Sequence, residues 1–248
     1  MVALSGPTSL PYVYAPGDPA YTQSLAHIFT LSLLDSATGH LLWQSSLVRA
    51  GEAQDTAVLA SEAQYTYVAS RSIPTSSQTG QAAVVQLIAV DTASGAIAWR
   101  LFGAREKGTT PPDFGALLPH GRLLYWQVDG AVYAIDTRLG QIQWRRPLAE
   151  DNAATVRLDE TQMALSGSVL LVRRSDRYHA LDAATGNPLW SASGLGPATA
   201  LSPGGILATG GRFILYGNGT IEAIDVSTQA ILWRHNDLAN IPVAVLAA

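Results

Sequence analysis

The chain has 248 residues, a formal net charge of −4 from 15 Lys plus Arg against 19 Asp plus Glu, and only 14% charged residues. With 48% hydrophobic residues it can bury a sizeable core, which excludes wholesale disorder. The mild acidity excludes the concentrated basic face of a nucleic-acid binder, and the absence of cysteine excludes disulfides, thiolate zinc sites and a thiol nucleophile.

Taken in chain order, the elements are short strands punctuated by turns. The first unit places strand A near Val2–Leu4, B near Tyr12–Ala15, C near His27–Leu34 and D near Leu41–Ser45. Strand A recurs at Ala57–Ala60 and Met163–Leu165, and strand C at Val84–Val90, Ala131–Ile135 and Tyr178–Leu181. The fifth unit runs A at Ile206–Thr209, B at Phe213–Tyr216, C at Thr220–Ile224 and D at Ile231–Arg234, and the tail Ile241–Ala247 reads as one more strand A. Helical periodicity is not sustained anywhere, and no apolar run reaches the length of a transmembrane helix. The start of the chain lacks a basic, then apolar, leader pattern, so the chain as given reads as soluble, and the compartment stays open. An extracytoplasmic location would need a signal upstream.

One phrase ties these strands into repeats. It reads LDSATGHLLW, VDTASGAIAW, IDTRLGQIQW, LDAATGNPLW and IDVSTQAILW. Its aspartates are Asp35, Asp91, Asp136, Asp182 and Asp225, separated by 56, 45, 46 and 43 residues. Each precedes a tryptophan by eight residues: Trp43, Trp99, Trp144, Trp190 and Trp233, five of the six in the chain. A period near 45 residues suits one four-stranded propeller blade. The Asp carboxylate can accept turn amides, and Gly39, Gly95, Gly140 and Gly186 supply the positive φ of a tight C–D turn. In the fifth unit Gln229 takes the glycine position. The expected fold is therefore an all-β propeller of four-stranded antiparallel blades. The single domain spans 1–248, with units near 1–50, 51–105, 106–150, 151–195 and 196–239 and an extra strand at 240–248.

These phrases resemble the tryptophan-docking motif of the PQQ-like β-propeller repeat, Ala-x-Asp-x-x-Thr-Gly-x-x-x-Trp. The fourth unit matches throughout, with Ala180, Asp182, Thr185, Gly186 and Trp190. Ala89 and Ala134 match in the second and third units, where Ser94 and Leu139 replace Thr. The first unit has Leu33 for Ala, and the fifth keeps Ala223. The resemblance implies that each indole ties neighbouring blades together. The family holds quinoprotein dehydrogenases, an outer-membrane assembly lipoprotein and sensor domains. For the dehydrogenases it implies eight blades, a central quinone with Ca²⁺ and, in many members, a vicinal disulfide; five units without cysteine depart from that pattern.

No convergent catalytic set is legible. Each phrase has one acid, too few for a calcium loop, so the aspartates read as turn caps and no metal or cofactor is expected. The histidines, His27, His40, His120, His179 and His235, do not share ligand spacing, and no Gly-x-Ser-x-Gly elbow occurs. Long connections at Pro16–Ala26, Ser72–Gln81 and Gly103–Asp113, with the irregular Gly51–Asp55, fall on one propeller face. That face is the expected recognition surface, with Tyr21, Arg105 and Lys107 as its binding candidates. The leading reading is a non-catalytic scaffold or extracytoplasmic sensor module that binds another protein or a second copy of the chain, without nucleic acid or membrane insertion. A small-ligand or carbohydrate-binding propeller, a hydrolase among them, and a portion of a larger eight-bladed ring stay open as alternatives.

Overall fold

The structure, a computed structural model, describes residues 2–5, 30–47, 52–62, 64–74, 84–105, 114–148, 161–174, 177–193, 205–217 and 220–236. These residues form strands and turns without helix, so none offers a helix long and apolar enough to cross a membrane. The first sheet has three strands in the order β1 (Val2–Ser5), β2 (Thr30–Leu34) and β3 (Leu41–Ser46). The second sheet has four: β4 (Glu52–Glu62), β5 (Tyr65–Pro74), β6 (Val84–Asp91) and β7 (Ile97–Arg105). The third is β8 (Phe114–His120), β9 (Leu123–Val128), β10 (Ala131–Asp136) and β11 (Ile142–Pro147). The fourth is β12 (Thr161–Ser166), β13 (Val169–Arg174), β14 (Arg177–Asp182) and β15 (Pro188–Ser193). The fifth is β16 (Gly205–Thr209), β17 (Arg212–Gly217), β18 (Thr220–Asp225) and β19 (Ile231–His235).

Each sheet is a meander, and several of its consecutive strands are joined by tight turns that only certain residues can make. Between β9 and β10, Asp129 and Gly130 both take positive φ, 48° and 68°, the geometry that matches strand twist in a two-residue hairpin. Gly210 and Gly211 do the same between β16 and β17, at 54° and 75°.

The chain divides into two compact units, Met1–Leu124 with Ile135–Gln141, and Tyr125–Ala134 with Ile142–Ala248. The core of the first includes Leu31 and Leu47 packed with Val68, Ile88 and Val90, with Trp43 partly buried against them. In the second, Leu171, Tyr178 and Ala180 pack with Phe213, Leu215 and Ile224, and Trp190 lies against this cluster. The central strands are buried on both faces: every residue from Ala131 to Asp136 is buried. Outer strands such as β3 and β11 instead alternate exposed and half-buried positions.

Three expectations change. Val2–Ser5 pairs with Thr30–Leu34, Val2 opposite Leu33 and Ser5 opposite Thr30, so it occupies the place expected for strand B and not that of strand A. A strand of four residues, VALS, is too short to carry a register signal that would choose its neighbour. Residues 52–55, read as an irregular connection, already belong to β4. A register shift between Gln54 and Thr56 interrupts the pairing there without ending the strand. Residues 72–74 and 103–105 likewise continue β5 and β7. Tyr12–Ala15, Pro16–Ala26, the rest of the long connections and the strand at 240–248 lie outside the described residues.

Candidate functional site

The recurrent aspartate sits at the end of the next-to-last strand of each sheet, just after β2 in the first and closing β6, β10, β14 and β18 in the others. Asp35 Oδ1 accepts from Ala37 N at 3.0 Å, Thr38 N at 2.8 Å and Thr38 Oγ1 at 2.8 Å. Asp91 receives Ser94 N and Oγ at 2.9 and 2.7 Å, and Asp182 receives Thr185 N and Oγ1 at 2.8 and 2.7 Å. Asp225 binds the amides and hydroxyls of both Ser227 and Thr228. In the third turn Leu139 brings no hydroxyl, and Arg122 Nη2 reaches Asp136 Oδ2 at 3.2 Å in its place. The backbone then closes each turn, as where Gly39 N donates to Asp35 O and Asp35 N to His40 O, both at 2.9 Å.

These bonds stabilise the charged carboxylate, so all five aspartates titrate below their ordinary value. For Asp225 the Ser227 hydroxyl contributes most, and its pKa falls from 3.8 to about 2. A depressed carboxyl contributes stability above its unfolded pKa and loses it as pH falls through the folded one. Thermal midpoints should therefore hold down to roughly pH 4 and then drop toward about pH 2. Asp225→Asn should melt lower at neutral pH but lose less on acidification. An acid profile identical to wild type would refute the capping role.

In three of these turns the glycine serves a second purpose. Gly95 has φ +74°, and a Cβ built on it would stand 2.7 Å from Cδ2 of Trp43. At Gly140 (φ +65°) the same atom would meet Trp99 Cδ2 at 2.7 Å, and at Gly186 (φ +70°) Trp144 Cε3 at 2.5 Å. Each indole thus lies flat on the glycine turn of the following sheet. Its Nε1 donates to the carbonyl one residue past the aspartate there: Trp43 to Thr92 O at 2.9 Å, Trp99 to Thr137 O at 2.9 Å and Trp144 to Ala183 O at 3.1 Å. A tyrosine of the indole's own sheet supports it from behind, Tyr67 at 6.0 Å from Trp99 and Tyr125 at 5.9 Å from Trp144 between ring centroids. Burial pushes the Tyr67 phenol up to about 12. Tyr125 Oη also donates to Ala183 O at 3.2 Å, and Arg146 Nε donates to Gly186 O at 2.6 Å.

A bulge aims Trp43 and Trp99. Leu33 pairs with Trp43 while Leu34 pairs with Leu41, so Leu42 is squeezed out of register. The same shift expels Ala98, Leu189 and Leu232, each directly before its tryptophan. An extra residue in one strand re-aims the next side chain. It also leaves Leu42, Leu189 and Leu232 on the surface, at 59%, 49% and 44% exposure.

The fourth and fifth repeats depart from this pattern. Gln229 holds φ +63° where the others have glycine, and among the described residues Trp190 makes no Nε1 bond to the turn of the fifth sheet. A Cβ at that position occupies the space an indole takes in the other turns. Gln229→Gly should raise stability by about 1 kcal/mol through relief of left-handed strain. A drop in the denaturation midpoint would overturn this reading of the turn.

Of the binding candidates, Arg105 ends β7, and Tyr21 and Lys107 lie outside the described residues. Tyr67 is buried at 1% exposure. His179 is buried on β14 opposite Val172 and Ser191. Among the described residues no three His, Cys, Asp or Glu side chains gather as a metal site, and the chain has no cysteine for a vicinal disulfide. Sequence reasoning missed Arg122, Arg146 and Tyr125.

Sheets of this order, the first three carrying an indole seated on the next sheet's turn, define a β-propeller of PQQ-like repeats. A family model described as outer membrane protein assembly factor BamB matches residues 29–162 and, in a second placement, 128–247, and the chain belongs to that family. No curated protein matches the sequence. Among solved structures, the chain is similar to BamB from Moraxella catarrhalis, at 19% identity and a TM-score of 0.51, over 85% of this chain and 61% of that one. It is also similar to the quinohemoprotein alcohol dehydrogenase ADHIIG from Pseudomonas putida HK5, at 18% identity and a TM-score of 0.56, over 86% of this chain and 40% of that one. The chain therefore spans less than two thirds of either protein's length, and at these identities the likeness is one of fold.

Proposed function

We propose that the protein is a non-catalytic protein-interaction scaffold whose contact surface lies on the outer strands of its sheets. The observation that carries this is the repeated bulge, which holds Leu42, Leu189 and Leu232 in solvent at equivalent positions. Exposed apolar neighbours accompany them: Leu41 at 55% beside Leu42, and Ile231 at 51% beside Leu232. Recurrent apolar exposure on rigid strands marks an interaction surface. The bulges themselves oppose edge-to-edge strand pairing, so the partner is met by side-chain packing. Family membership supports the reading, since the family is described by a role in assembling other proteins. The structural roles of the repeated Asp, Gly and Trp residues and the single-domain organisation belong to the same proposal.

Photoreactive residues placed at 42, 189 and 232 in the cell should give one defined protein adduct, and the same residue at Gln143 should not. Turnover of an alcohol on addition of the quinone and calcium would instead make the protein an enzyme and end the scaffold reading.

A further inference from the structure

The seam between the third and fourth sheets carries a polar cluster that the seating of indoles on turns does not use. All of its residues belong to the second compact unit. Gln127 on β9 is 2% exposed, and among the described residues neither its Oε1 nor its Nε2 has a hydrogen-bond partner. Two contacts bracket it. Before it on the strand, Tyr125 Oη donates to Ala183 O of the fourth sheet at 3.2 Å. After it, a Cβ built on Gly130 would stand 3.6 Å from Arg174 Nη2. Side chains two apart on a strand share a face, so Gln127 is turned toward the fourth sheet as Tyr125 is.

The fourth sheet presents cations to it. In the antiparallel register Val172 opposes His179 and Arg174 opposes Arg177. Opposed residues, and residues two apart, lie on one face, so Arg174, Arg177 and His179 share the face turned toward the third sheet. Arg173 opposes Tyr178 and lies on the other face, where Tyr178 packs with Phe213 and Leu215. Arg177 is exposed and His179 is buried, so the cluster runs from the hairpin end of the seam inward. Like charges directly opposite each other disfavour a sheet, and a buried amide with neither bond made costs the desolvation of both atoms. One occupant offsets both costs.

We propose that this seam binds a small 2-hydroxy carboxylate. Arg174 and Arg177 hold the carboxylate, since guanidinium donors match its two oxygens. The hydroxyl reaches inward and donates to Gln127 Oε1, while Gln127 Nε2 donates to the nearer carboxylate oxygen. The amide thereby selects the ligand. Acetate and sulfate bring no donor and leave Oε1 unmatched, and a site that hydrogen-bonds a hydroxyl discriminates against analogues lacking it. Asp129, beside Gly130 in the turn between β9 and β10, is the protein's own carboxylate at this end among the described residues, and it competes with the ligand for the arginines.

Titration of the full chain with glycolate, read from the NMR signals of the Gln127 side-chain amide and the Gly130 backbone amide, tests this. Both signals should shift saturably. Acetate and sulfate should bind roughly fivefold or more weakly, the worth of one hydrogen bond. Gln127→Leu, read at Gly130, should bind glycolate and acetate alike. Arg174→Gln should weaken both acids by about tenfold or more, as loss of a charge-assisted bond does. Asp129→Asn should tighten both, because it removes the competing carboxylate. Glycolate that leaves both signals unmoved overturns the proposal and assigns the buried amide to water. A Gln127→Leu chain that still prefers glycolate overturns it equally. So does sulfate bound as tightly as glycolate, which would make the arginines a cationic patch that does not read the hydroxyl.

Discussion

Trp144→Ala should lower the unfolding free energy by about 3 kcal/mol or more, the range for deleting a large packed aromatic. The indole spans two sheets: it rests on Gly186, lies against Tyr125 and donates to Ala183 O. Deleting it removes apolar contact on both sides and leaves a void that the turn backbone is too constrained to fill. Trp144→Phe separates the two contributions. The ring contact is mostly kept, and Ala183 O still accepts from Tyr125 Oη, so no buried acceptor is orphaned. That variant should lose only about 1 kcal/mol, the net worth of one hydrogen bond. Trp233→Ala, at the exposed end, should change the midpoint of dilute protein far less than Trp144→Ala. Equal losses at 144 and 233 in urea titrations would mean that seating on a glycine turn contributes nothing.

The period of Asp, Gly and Trp was legible in the sequence because each residue answers a local need: a carboxylate to cap a turn, a residue for positive φ, a large apolar side chain on an outer strand. Local chemistry also explains the central strands, where apolar runs such as Ala131–Ile135 are buried on both faces. What the sequence hid is relational. Trp43 seats on Gly95, 52 residues away, and no spacing rule within one repeat announces that partner. The glycines looked like a backbone requirement alone, whereas the neighbouring indole also excludes a Cβ. Arg122 replacing the missing hydroxyl beside Leu139 is a contact across strands that the motif does not contain. The bulge before Trp43, Trp190 and Trp233 shifts the pairing by one residue, a change that an alternating pattern cannot resolve at a strand only five or six residues long. Val2–Ser5 shows the same limit, since its composition suits strand A or strand B equally and only pairing decides.

Gly186→Ala should be more damaging than its one methyl group suggests, at about 3 kcal/mol, in two parts. Alanine at φ +70° carries a left-handed penalty of about 1–2 kcal/mol. The rest comes from the indole, because the new Cβ would sit 2.5 Å from Trp144 Cε3, 2.7 Å from Cδ2 and 3.0 Å from Cζ3. Backbone on one side and a rigid ring on the other leave neither partner a flexible end to move, so the ring must lift and its bond to Ala183 O must break. Gly121→Ala isolates the first part, since its φ is +59° and nothing lies within 4 Å of its Cβ. The difference between the two variants therefore measures the seat itself. It should be accompanied by a change in near-ultraviolet circular dichroism for Gly186→Ala alone, as the Trp144 environment loosens. If both glycines give the same loss and the same spectrum, the indole is not held on the turn. The glycine would then be required for φ only, and Gln229, which already holds φ +63° in the fifth sheet, would be no obstacle to Trp190.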